Sequence, residues 1–316
     1  MAAPRREFML EIDGHPVRVS NPDRVYFPER GETKLDLINY YVAVGEGIVN
    51  ALRERPCMLH RYPTGVAGEK VHQKRLPKGA PDWIETVEIF FPRFGRTADE
   101  LTVTKLADIV WAVQMSTVEF HPWNSRRSDV EAPDEWRIDI DPGDACPFER
   151  CVTVAHAVRE VLDELGAVGW PKTSGSNGLH VYVRVRPEHP FTQLRRAALA
   201  FAREIERRVP EDATTVWFRK DRDPAKVFVD FNQNARDHTI AAAYSARGNA
   251  AGTVSTPFTW EELDGVDPTV FTIATVPRRY AERGDLHAGI DDAVFDITPL
   301  LEWADQDGIE APAGPR

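Results

Sequence analysis

Two aspartates, Asp139 and Asp141, have the residue type and spacing best suited to chemistry in this sequence. They lie in the segment WRIDIDP at residues 136–142, which predicts a short strand. Side chains alternate faces along a strand, so both carboxylates point to one side, about 6.5–7 Å apart at Cα, while Ile138 and Ile140 face a core. Paired carboxylates on a rigid strand suit divalent cations, which bind through oxygen. In phosphoryl transfer one such ion activates the attacking hydroxyl and another neutralises the phosphates.

A third acid, Asp230, ends the apolar run KVFV and is therefore also expected on a strand. It completes a three-carboxylate site only if that strand neighbours the strand of the pair, which the sequence does not show. The DxD pair alone is weak evidence, because a solvated strand end or a helix-capping loop has the same residues. The metal site is a hypothesis that depends on the third acid.

The segment KTSGSNGLH at residues 172–180 is a Gly/Ser loop that leads into a strand. Glycines let backbone N–H groups approach an anion closely, and serine hydroxyls add hydrogen-bond donors. His180 follows the turn, where it could contact a phosphate or a sugar hydroxyl. A Gly/Ser turn between a helix and a strand is often only a turn, so both interpretations stay open on this segment alone.

Hydrophobic periodicity predicts the elements that must position these residues. Residues 8–19 predict a β-hairpin around Asp13-Gly14, and Thr33 is the expected N-cap of the next helix. The predicted helices span about residues 33–53, 104–119, 148–165 (ended by Gly166) and 190–209, and the predicted strands span 56–62, 136–142, 179–185 and 226–231. Interleaved helices and strands indicate an α/β or α+β fold.

Composition and charge limit the possible function classes. The chain has 316 residues and a net charge of −11, which argues against a protein that coats nucleic acid indiscriminately. No apolar run approaches the roughly 20 residues of a membrane span, and the polar N-terminus does not resemble a secretory signal. We therefore expect a soluble cytoplasmic protein. Three cysteines make no disulfide framework, and the spacing of Cys146, Cys151 and His156 lacks a fourth zinc ligand.

The order of the motifs resembles the polymerase domain of LigD, the bacterial non-homologous end-joining ligase, and stand-alone relatives such as Prim-PolC, of the archaeo-eukaryotic primase superfamily. The resemblance runs from NPDRVYFP near Asn21 through HRYPTG, EFHPW, the DxD strand, KTSG…GLH, KVFVD and AAYSARG to FTWEEL. It implies a primase-like fold in which a central mixed or antiparallel sheet carries the acids, flanked by helices and an N-terminal module. One domain would span residues 1–304, with modules of about 1–130 and 131–304, and the tail 305–316 is expected to be disordered.

The resemblance also implies a role for each matching residue. The catalytic metal ligands would be Asp139, Asp141 and Asp230, with Mn²⁺ (or Mg²⁺) as the activating ion. The residues implied to bind the nucleotide are Lys74, His121, Ser174, His180, Arg222, Lys226, Gln233 and Arg247. The residues implied to bind the 5′-phosphate downstream of a gap are Arg24 and Lys34, and the template side carries Val71 and His72.

The sequence departs from the family pattern at several of these positions. Residues 71–72 (Val-His) replace two adjacent aromatic residues, and stacking of a base on an aromatic ring is worth about 1–3 kcal/mol. Asn177 stands where a lysine is common, and His60 where relatives can be basic. An extra residue before Asp230 makes the assignment of Arg222 less secure. These changes concern the grip on the nucleic acid and the nucleotide, not the three acids.

The leading interpretation is a template-directed DNA/RNA primase-polymerase that fills short gaps or extends broken DNA ends and accepts ribonucleotides. Its expected partners are gapped or broken duplex DNA with a 5′-phosphate, NTP or dNTP, Ku and a separate DNA ligase, in the bacterial nucleoid. One alternative is a primase that starts chains without a primer. A second is a weakly active DNA-end-binding module that recruits Ku or a ligase. A third is an α/β domain whose acids are unrelated to metal or phosphate.

Overall fold

Helices and mainly antiparallel strands interleave along the chain in a computed structural model that describes residues 6–310, as the sequence predicts. In chain order the strands are β1 (Glu7–Ile12), β2 (His15–Ser20), β3 (Val25–Phe27), β4 (Glu32–Thr33), β5 (Pro56–Arg61), β6 (Val71–Gln73), β7 (Thr86–Phe91), β8 (Arg96–Thr102), β9 (Thr117–Pro122), β10 (Ser125–Arg126), β11 (Asp129–Pro133), β12 (Glu135–Pro142), β13 (Trp170–Thr173), β14 (Leu179–Arg184), β15 (Ala213–Thr214) and β16 (Val227–Asp230). The helices are α1 (Lys34–Ala43), α2 (Gly45–Leu52), α3 (Leu106–Gln114), α4 (Phe148–Leu165), α5 (Phe191–Arg208), α6 (Val276–Arg283) and α7 (Thr298–Gln306). No helix within residues 6–310 is long and apolar enough to cross a membrane.

The chain folds into two compact units. Of the described residues, the first contains 6–123, 241–256 and 267–286, and the second contains 124–240, 257–266 and 287–310. The first boundary lies near the predicted module boundary at about residue 130. The chain then returns twice to the first unit, which no local pattern reveals because these returns depend on contacts between distant segments.

A five-stranded sheet forms the centre of the first unit. Its order is β6-β5-β8-β7, and β9 also pairs with β5. Apolar side chains of α1, α3 and the hairpin β1–β2 share its core. The hairpin has the predicted position, and its turn residues Asp13 and Gly14 have φ values of 50° and 75°, as a two-residue type I′ turn requires.

The helix predicted at 104–119 is too long, and this part of the prediction is wrong. Helix α3 ends before Ser116, which takes a left-handed φ of 77°, and β9 begins immediately afterwards at Thr117. An apolar stretch fits both periodicities, and β-branched residues such as Thr117 favour a strand. The correction places Glu119 and His121 on one face of β9, since they are two residues apart.

The helix predicted at 33–53 is present but broken into α1 and α2. Thr33 caps α1 as expected, in a capping box in which its backbone N donates to Oδ2 of Asp36 at 2.7 Å. A Cβ at Gly47, in α2, would lie 2.6 Å from the ring of Tyr244. Only glycine permits this close approach, so the packing of α2 depends on it.

The second unit contains the sheet that carries the predicted acids. Its order is β13-β14-β12-β16-β15, and all pairs are antiparallel except β15 with β16. Trp136, Ile138 and Ile140 pack one face of β12 into a core with α4 and α5. Helix α4 has the predicted bounds and ends at Gly166, whose φ is 69°. The odd-numbered residues of β12 therefore lie on the opposite face.

The tail that was expected to be disordered is ordered over residues 305–310, so the prediction is wrong there. Asp305 and Gln306 belong to α7, and Ile309 is buried against Ala200 and Ala304. The polar composition of the tail did not predict this contact, because the contact depends on the single apolar side chain of Ile309. Residues 311–316 lie outside the described residues.

The turn of the β1–β2 hairpin also caps α3. Oδ2 of Asp13 accepts hydrogen bonds from the backbone N of Leu106 at 2.8 Å and of Ala107 at 3.2 Å. We predict that Asp13→Ala lowers the free energy of unfolding by about 1 kcal/mol, the usual value of such a cap. Asp13→Asn keeps an acceptor oxygen and tolerates the left-handed turn, so it should lose much less. Urea denaturation measures both values, and equal losses would contradict a capping role.

Candidate active site

Strand register brings the predicted acids together in the second unit. Asp139 on β12 pairs with His180 on β14 and with Asp230 on β16, so the three residues form one row across the sheet. Directly paired residues point to the same face, and Asp141, two residues along β12, shares it. The adjacency of the two acid-bearing strands, which the sequence left open, is therefore present.

The turn after β16 orients Asp230. Its Oδ1 accepts a hydrogen bond from the backbone N of Asn232 at 2.7 Å, and its Oδ2 accepts one from Nε2 of Gln233 at 3.0 Å. The buried side chain of Asn234 accepts from the backbone N of Arg137 at 2.9 Å and donates to its carbonyl at 2.8 Å. Asn234 therefore ties this turn to β12, a positioning role that sequence reasoning did not assign.

The three carboxylates offer oxygen ligands on one face of the sheet, although their oxygens do not all lie within 4.8 Å of one another. Burial, followed by the charge of Asp230, raises the pKa of Asp141 above its usual value. Burial also raises the pKa of Asp230, against the opposing hydrogen bonds from Asn232 and Gln233. Carboxylates that desolvation and mutual repulsion disfavour as anions gain stability when a cation binds. An all-oxygen donor set is the kind that Mg²⁺ and Mn²⁺ prefer.

His180 is held from both sides of its ring. Its Nδ1 lies 2.7 Å from Nζ of Lys172, and its Nε2 lies 3.4 Å from Oδ1 of Asp139. An ammonium group can only donate, so Nδ1 is the acceptor and the proton of a neutral imidazole is on Nε2, facing Asp139. Lys172 is fully buried over the ring of Tyr182. Sequence reasoning included Lys172 in the Gly/Ser loop but gave it no role.

The Gly/Ser loop is a tight turn against β12. Oγ of Ser174 accepts hydrogen bonds from the backbone N of Ser176 at 3.0 Å and of Gly178 at 3.1 Å. The hydroxyl hydrogen of Ser174 is not used in these contacts, so it can be donated to a ligand. A Cβ at Gly178 would lie 2.3 Å from the carbonyl oxygen of Ile140, so this approach requires glycine. Asn177 is exposed.

The two basic residues before Asp230 differ in position. The Arg222 guanidinium donates to the carbonyls of Val216 and Trp217, and burial lowers its pKa while the charges of Asp230 and Asp141 raise it. Arg222 is therefore electrostatically coupled to the acids despite the extra residue between them. Lys226 instead donates to the carbonyl of Pro210 at 2.6 Å, so the structure does not bring its ammonium to the acids.

Three of the predicted nucleotide-binding residues lie in the first unit. Nζ of Lys74 lies 4.5 Å from the centroid of the Phe91 ring. Nε2 of His121 and Nη1 of Arg247 lie 3.0 and 3.4 Å, respectively, from Oε2 of Glu119. Glu119 is a site residue that sequence reasoning missed, because residues up to 119 were assigned to a helix.

Glu119 is charged and His121 neutral near pH 7. Burial would raise the pKa of Glu119, but the contacts with His121 and His60 and the charge of Arg247 hold it far below its usual range. Burial lowers the pKa of His121 to about 3, although Glu119 opposes that shift. The carboxylate is therefore the negative centre of this group of side chains.

The predicted template-side residues are both on β6. Val71 and His72 are exposed, and the His72 ring lies 4.5 Å from the ring of His60, centroid to centroid. Burial, followed by the charge of His60, lowers the pKa of His72. On β6 this chain therefore presents an aliphatic side chain and an imidazole that packs on a second imidazole.

The predicted 5′-phosphate residues adjoin each other at the N-terminus of α1. The backbone N of Lys34 donates to the carbonyl of Arg24 at 2.8 Å, and its Nζ donates to the carbonyl of Ser20 at 2.9 Å. Burial, and then the charge of Arg24, lowers the pKa of Lys34 to about 8. Arg24 itself donates to the carbonyl of Pro63. A helix N-terminus with two adjoining cations favours an anion.

Comparison with known proteins finds that the chain is similar to one domain of end-joining proteins. The family described as LigD, primase-polymerase domain, matches residues 33–287. The multifunctional non-homologous end joining protein LigD of Mycolicibacterium smegmatis is 33% identical over 279 residues, covering 87% of this chain and 36% of that protein. The LigD protein of Pseudomonas aeruginosa is 32% identical over 268 residues, covering 84% of this chain and 31% of that protein. The chain thus spans about a third of the length of these relatives.

A solved structure gives the same result for the fold. The polymerase domain from Mycobacterium tuberculosis ligase D in complex with DNA superimposes with a TM-score of 0.79 at 30% sequence identity, covering 87% of this chain and 98% of that chain. The mixed α/β architecture with antiparallel sheets is shared. The chain therefore belongs to the LigD primase-polymerase domain family.

Proposed function

We propose that this chain is a template-directed nucleotidyltransferase that fills short gaps or extends broken DNA ends, using ribonucleotides as well as deoxyribonucleotides. The observation that carries the proposal is the row of His180, Asp139 and Asp230, with Asp141 on the same face of the sheet. The likeness to a polymerase domain solved in complex with DNA supports it.

Asp139, Asp141 and Asp230 would hold one or two divalent ions, Mn²⁺ or Mg²⁺. When bound, such ions lower the pKa of the attacking hydroxyl and neutralise the triphosphate. The chain itself keeps the acids in place through the pairing of β12 with β16 and through the hydrogen bonds of Gln233 to Asp230 and of Asn234 to β12. Preorganised ligands avoid reorganisation during the reaction.

In the proposed reaction the primer 3′-hydroxyl attacks the α-phosphate in line, and a new P–O bond forms as the bond to pyrophosphate breaks. Ser174 and His180 would donate to the triphosphate from the hydroxyl and from Nε2, and Arg222 would add positive charge. The remaining nucleotide contacts of the proposal come from Lys74, His121, Gln233 and Arg247. Lys226 would first have to release the carbonyl of Pro210.

The proposed substrate is gapped or broken duplex DNA, with its 5′-phosphate at Arg24 and Lys34. The names of the relatives place them in non-homologous end joining, so Ku and a separate DNA ligase are the proposed partners, in the bacterial nucleoid. A DNA-end-binding module of low activity is the second candidate, because an exposed Val71-His72 pair replaces the aromatic template platform. The first prediction below separates the two functions.

The first prediction concerns the acids. Asp139→Asn should reduce Mn²⁺-dependent incorporation on a gapped, 5′-phosphorylated duplex by at least about 100-fold, because it removes a metal ligand. Asp144→Asn is the matched control, because Asp144 is an exposed acid just beyond the same strand, paired with Arg219. Incorporation is measured by primer extension on gels. If wild type and Asp139→Asn both bind the gap but neither extends it, the end-binding module replaces the polymerase.

The second prediction concerns Lys172. Lys172→Gln removes the ammonium that fixes the His180 tautomer, and should lower kcat by about 10–100-fold, as loss of a supporting hydrogen bond commonly does. Lys172 is buried, so its replacement also changes the packing around it. Lys172→Arg keeps the positive charge and serves as the test for this structural effect, and it should recover part of kcat. Gap affinity should stay near wild type, and kcat is compared among variants that circular dichroism shows to be folded at the assay temperature. A loss confined to stability, with kcat unchanged, would contradict a positioning role.

The third prediction concerns pH. The lowered pKa of Lys34 means that its ammonium is charged below about pH 8 and neutral above it. The preference of the protein for a 5′-phosphorylated gap over an unphosphorylated gap should therefore fall about tenfold between pH 7 and pH 9, the value of one charged hydrogen bond. Fluorescence anisotropy with both duplexes measures it. In Lys34→Met the preference should be low at both pH values, and a wild-type preference that does not change with pH would contradict the site.

A further inference from the structure

The first unit contains a second row of polar side chains. On β5, His60 pairs with His72 on β6 and with Glu119 on β9. Directly paired residues share a face, and His121, two residues beyond Glu119 on β9, shares it as well. Sheet register thus gathers His60, Glu119 and His121 from two strands that are distant in sequence, and all three side chains are buried.

The three side chains converge on one point. Nε2 of His121 lies 3.0 Å and Nδ1 of His60 lies 3.4 Å from Oε2 of Glu119. One potential ligand atom from each residue lies within 4.8 Å of the other two, and no other such group of His, Cys, Asp and Glu occurs within residues 6–310. This spacing is compatible with three ligands of one ion at the usual bond lengths of about 2.0–2.2 Å.

The carboxylate of Glu119 is fixed by its other oxygen. Oε1 accepts hydrogen bonds from the hydroxyl of Tyr62 at 2.8 Å and from the backbone N of Gly248 at 3.1 Å. Oε2 is thereby directed at the imidazoles of His60 and His121. Metal-binding carboxylates are commonly oriented in this way, by hydrogen bonds to the atom that does not bind the ion.

A buried nitrogen atom without a hydrogen bond points to a missing ligand. Nδ1 of His60, a residue that is 6% exposed, makes no hydrogen bond although it lies 3.4 Å from Oε2 of Glu119. Nearly all buried polar atoms in proteins have a partner, so each exception requires an explanation. A neutral imidazole nitrogen with a free lone pair is a metal ligand. Nδ1 of His60 faces Oε2 of Glu119, the atom that supplies the negative charge.

We propose that His60, Glu119 and His121 bind one divalent transition-metal ion of the Zn²⁺ type. Two imidazoles and one carboxylate are a donor set of zinc sites that keep a fourth position for water. Mg²⁺ is the wrong ion here, because it prefers oxygen ligands and retains its waters. The proposal goes beyond the proposed polymerase function and does not depend on it. It gives His121 a role in addition to the nucleotide contact.

Arg247 is the group that competes with such an ion. Its Nη1 lies 3.4 Å from the same Oε2 that the metal would use. A guanidinium and a metal ion repel each other at this distance, so removal of the arginine charge should favour the metal. If the site instead bound an oxygen anion and no metal, Arg247→Gln would weaken binding, because the anion would lose a neighbouring cation. Arg247→Gln therefore distinguishes a metal site from an anion site.

The test is a titration of the chelator-treated full-length chain with Co²⁺, whose visible absorption reports nitrogen and oxygen ligands, followed by displacement with Zn²⁺. With excess Mg²⁺ present to occupy the aspartate site, wild type should bind one equivalent of Co²⁺. His60→Gln and Glu119→Gln should bind at least about 100-fold more weakly. His15→Gln, which changes a histidine of the first unit that stacks on Trp83 outside the ligand set, is the control and should bind like wild type. Arg247→Gln should bind more tightly.

Folding of each variant is checked by circular dichroism, and by the rise in melting temperature that Zn²⁺ produces in wild type but not in the ligand variants. Glu119→Gln keeps an oxygen acceptor for the Tyr62 hydroxyl, which protects the fold. The proposal is overturned if folded wild type shows no Co²⁺ absorption, if His60→Gln binds as wild type does, or if Arg247→Gln weakens binding. The readout uses no nucleotide, so failure of the polymerase activity leaves it interpretable.

Discussion

The register of β12 with its two neighbouring strands is the constraint on which the candidate active site depends. A slip of one residue against β16 would place Ile140 rather than Asp139 opposite Asp230 and turn the acids toward the core. The apolar side of β12 prevents this, because Trp136, Ile138 and Ile140 must remain against α4 and α5. Hydrophobic packing on one face therefore fixes the position of the charges on the other.

Burial of the charged groups on the polar face of the same sheet costs free energy, and neighbouring opposite charges offset most of that cost. Glu135 accepts hydrogen bonds from Arg137 and Arg184 at 2.9 Å each, and all three side chains are buried. Removing one partner of such a network costs about 3–5 kcal/mol, because it leaves a buried charge unpaired. Burial raises the pKa of Asp141 and of Asp230, although the charge of Arg222 and, for Asp230, the hydrogen bonds from Asn232 and Gln233 oppose the shift. The cation of the proposed function would offset the remaining cost.

The sequence predicts the local parts of this arrangement and misses the parts that depend on distant contacts. The bounds of α4, the N-cap Thr33 and the strand of Asp139 follow from periodicity and capping within a few residues. The left-handed Ser116 carries no glycine signal, so the start of β9 was placed wrongly. Nothing near Lys172 or Asn234 in the sequence indicates that one holds His180 and the other holds β12. Their roles arise from pairing between strands, which a single sequence does not encode in readable form.

The template-side residues that depart from the expected family pattern are connected by the same kind of pairing between strands. Residue 72 faces residue 60 across β5 and β6, and residue 60 faces Glu119 across β5 and β9. His72 and His60, which stand at two of the expected departures from the family pattern, are therefore neighbours. Their rings pack on each other, and the His60 ring packs at 3.7 Å on that of His121. The three imidazoles form one stack, in which His60 and His121 are buried beside the carboxylate of Glu119 and His72 is exposed.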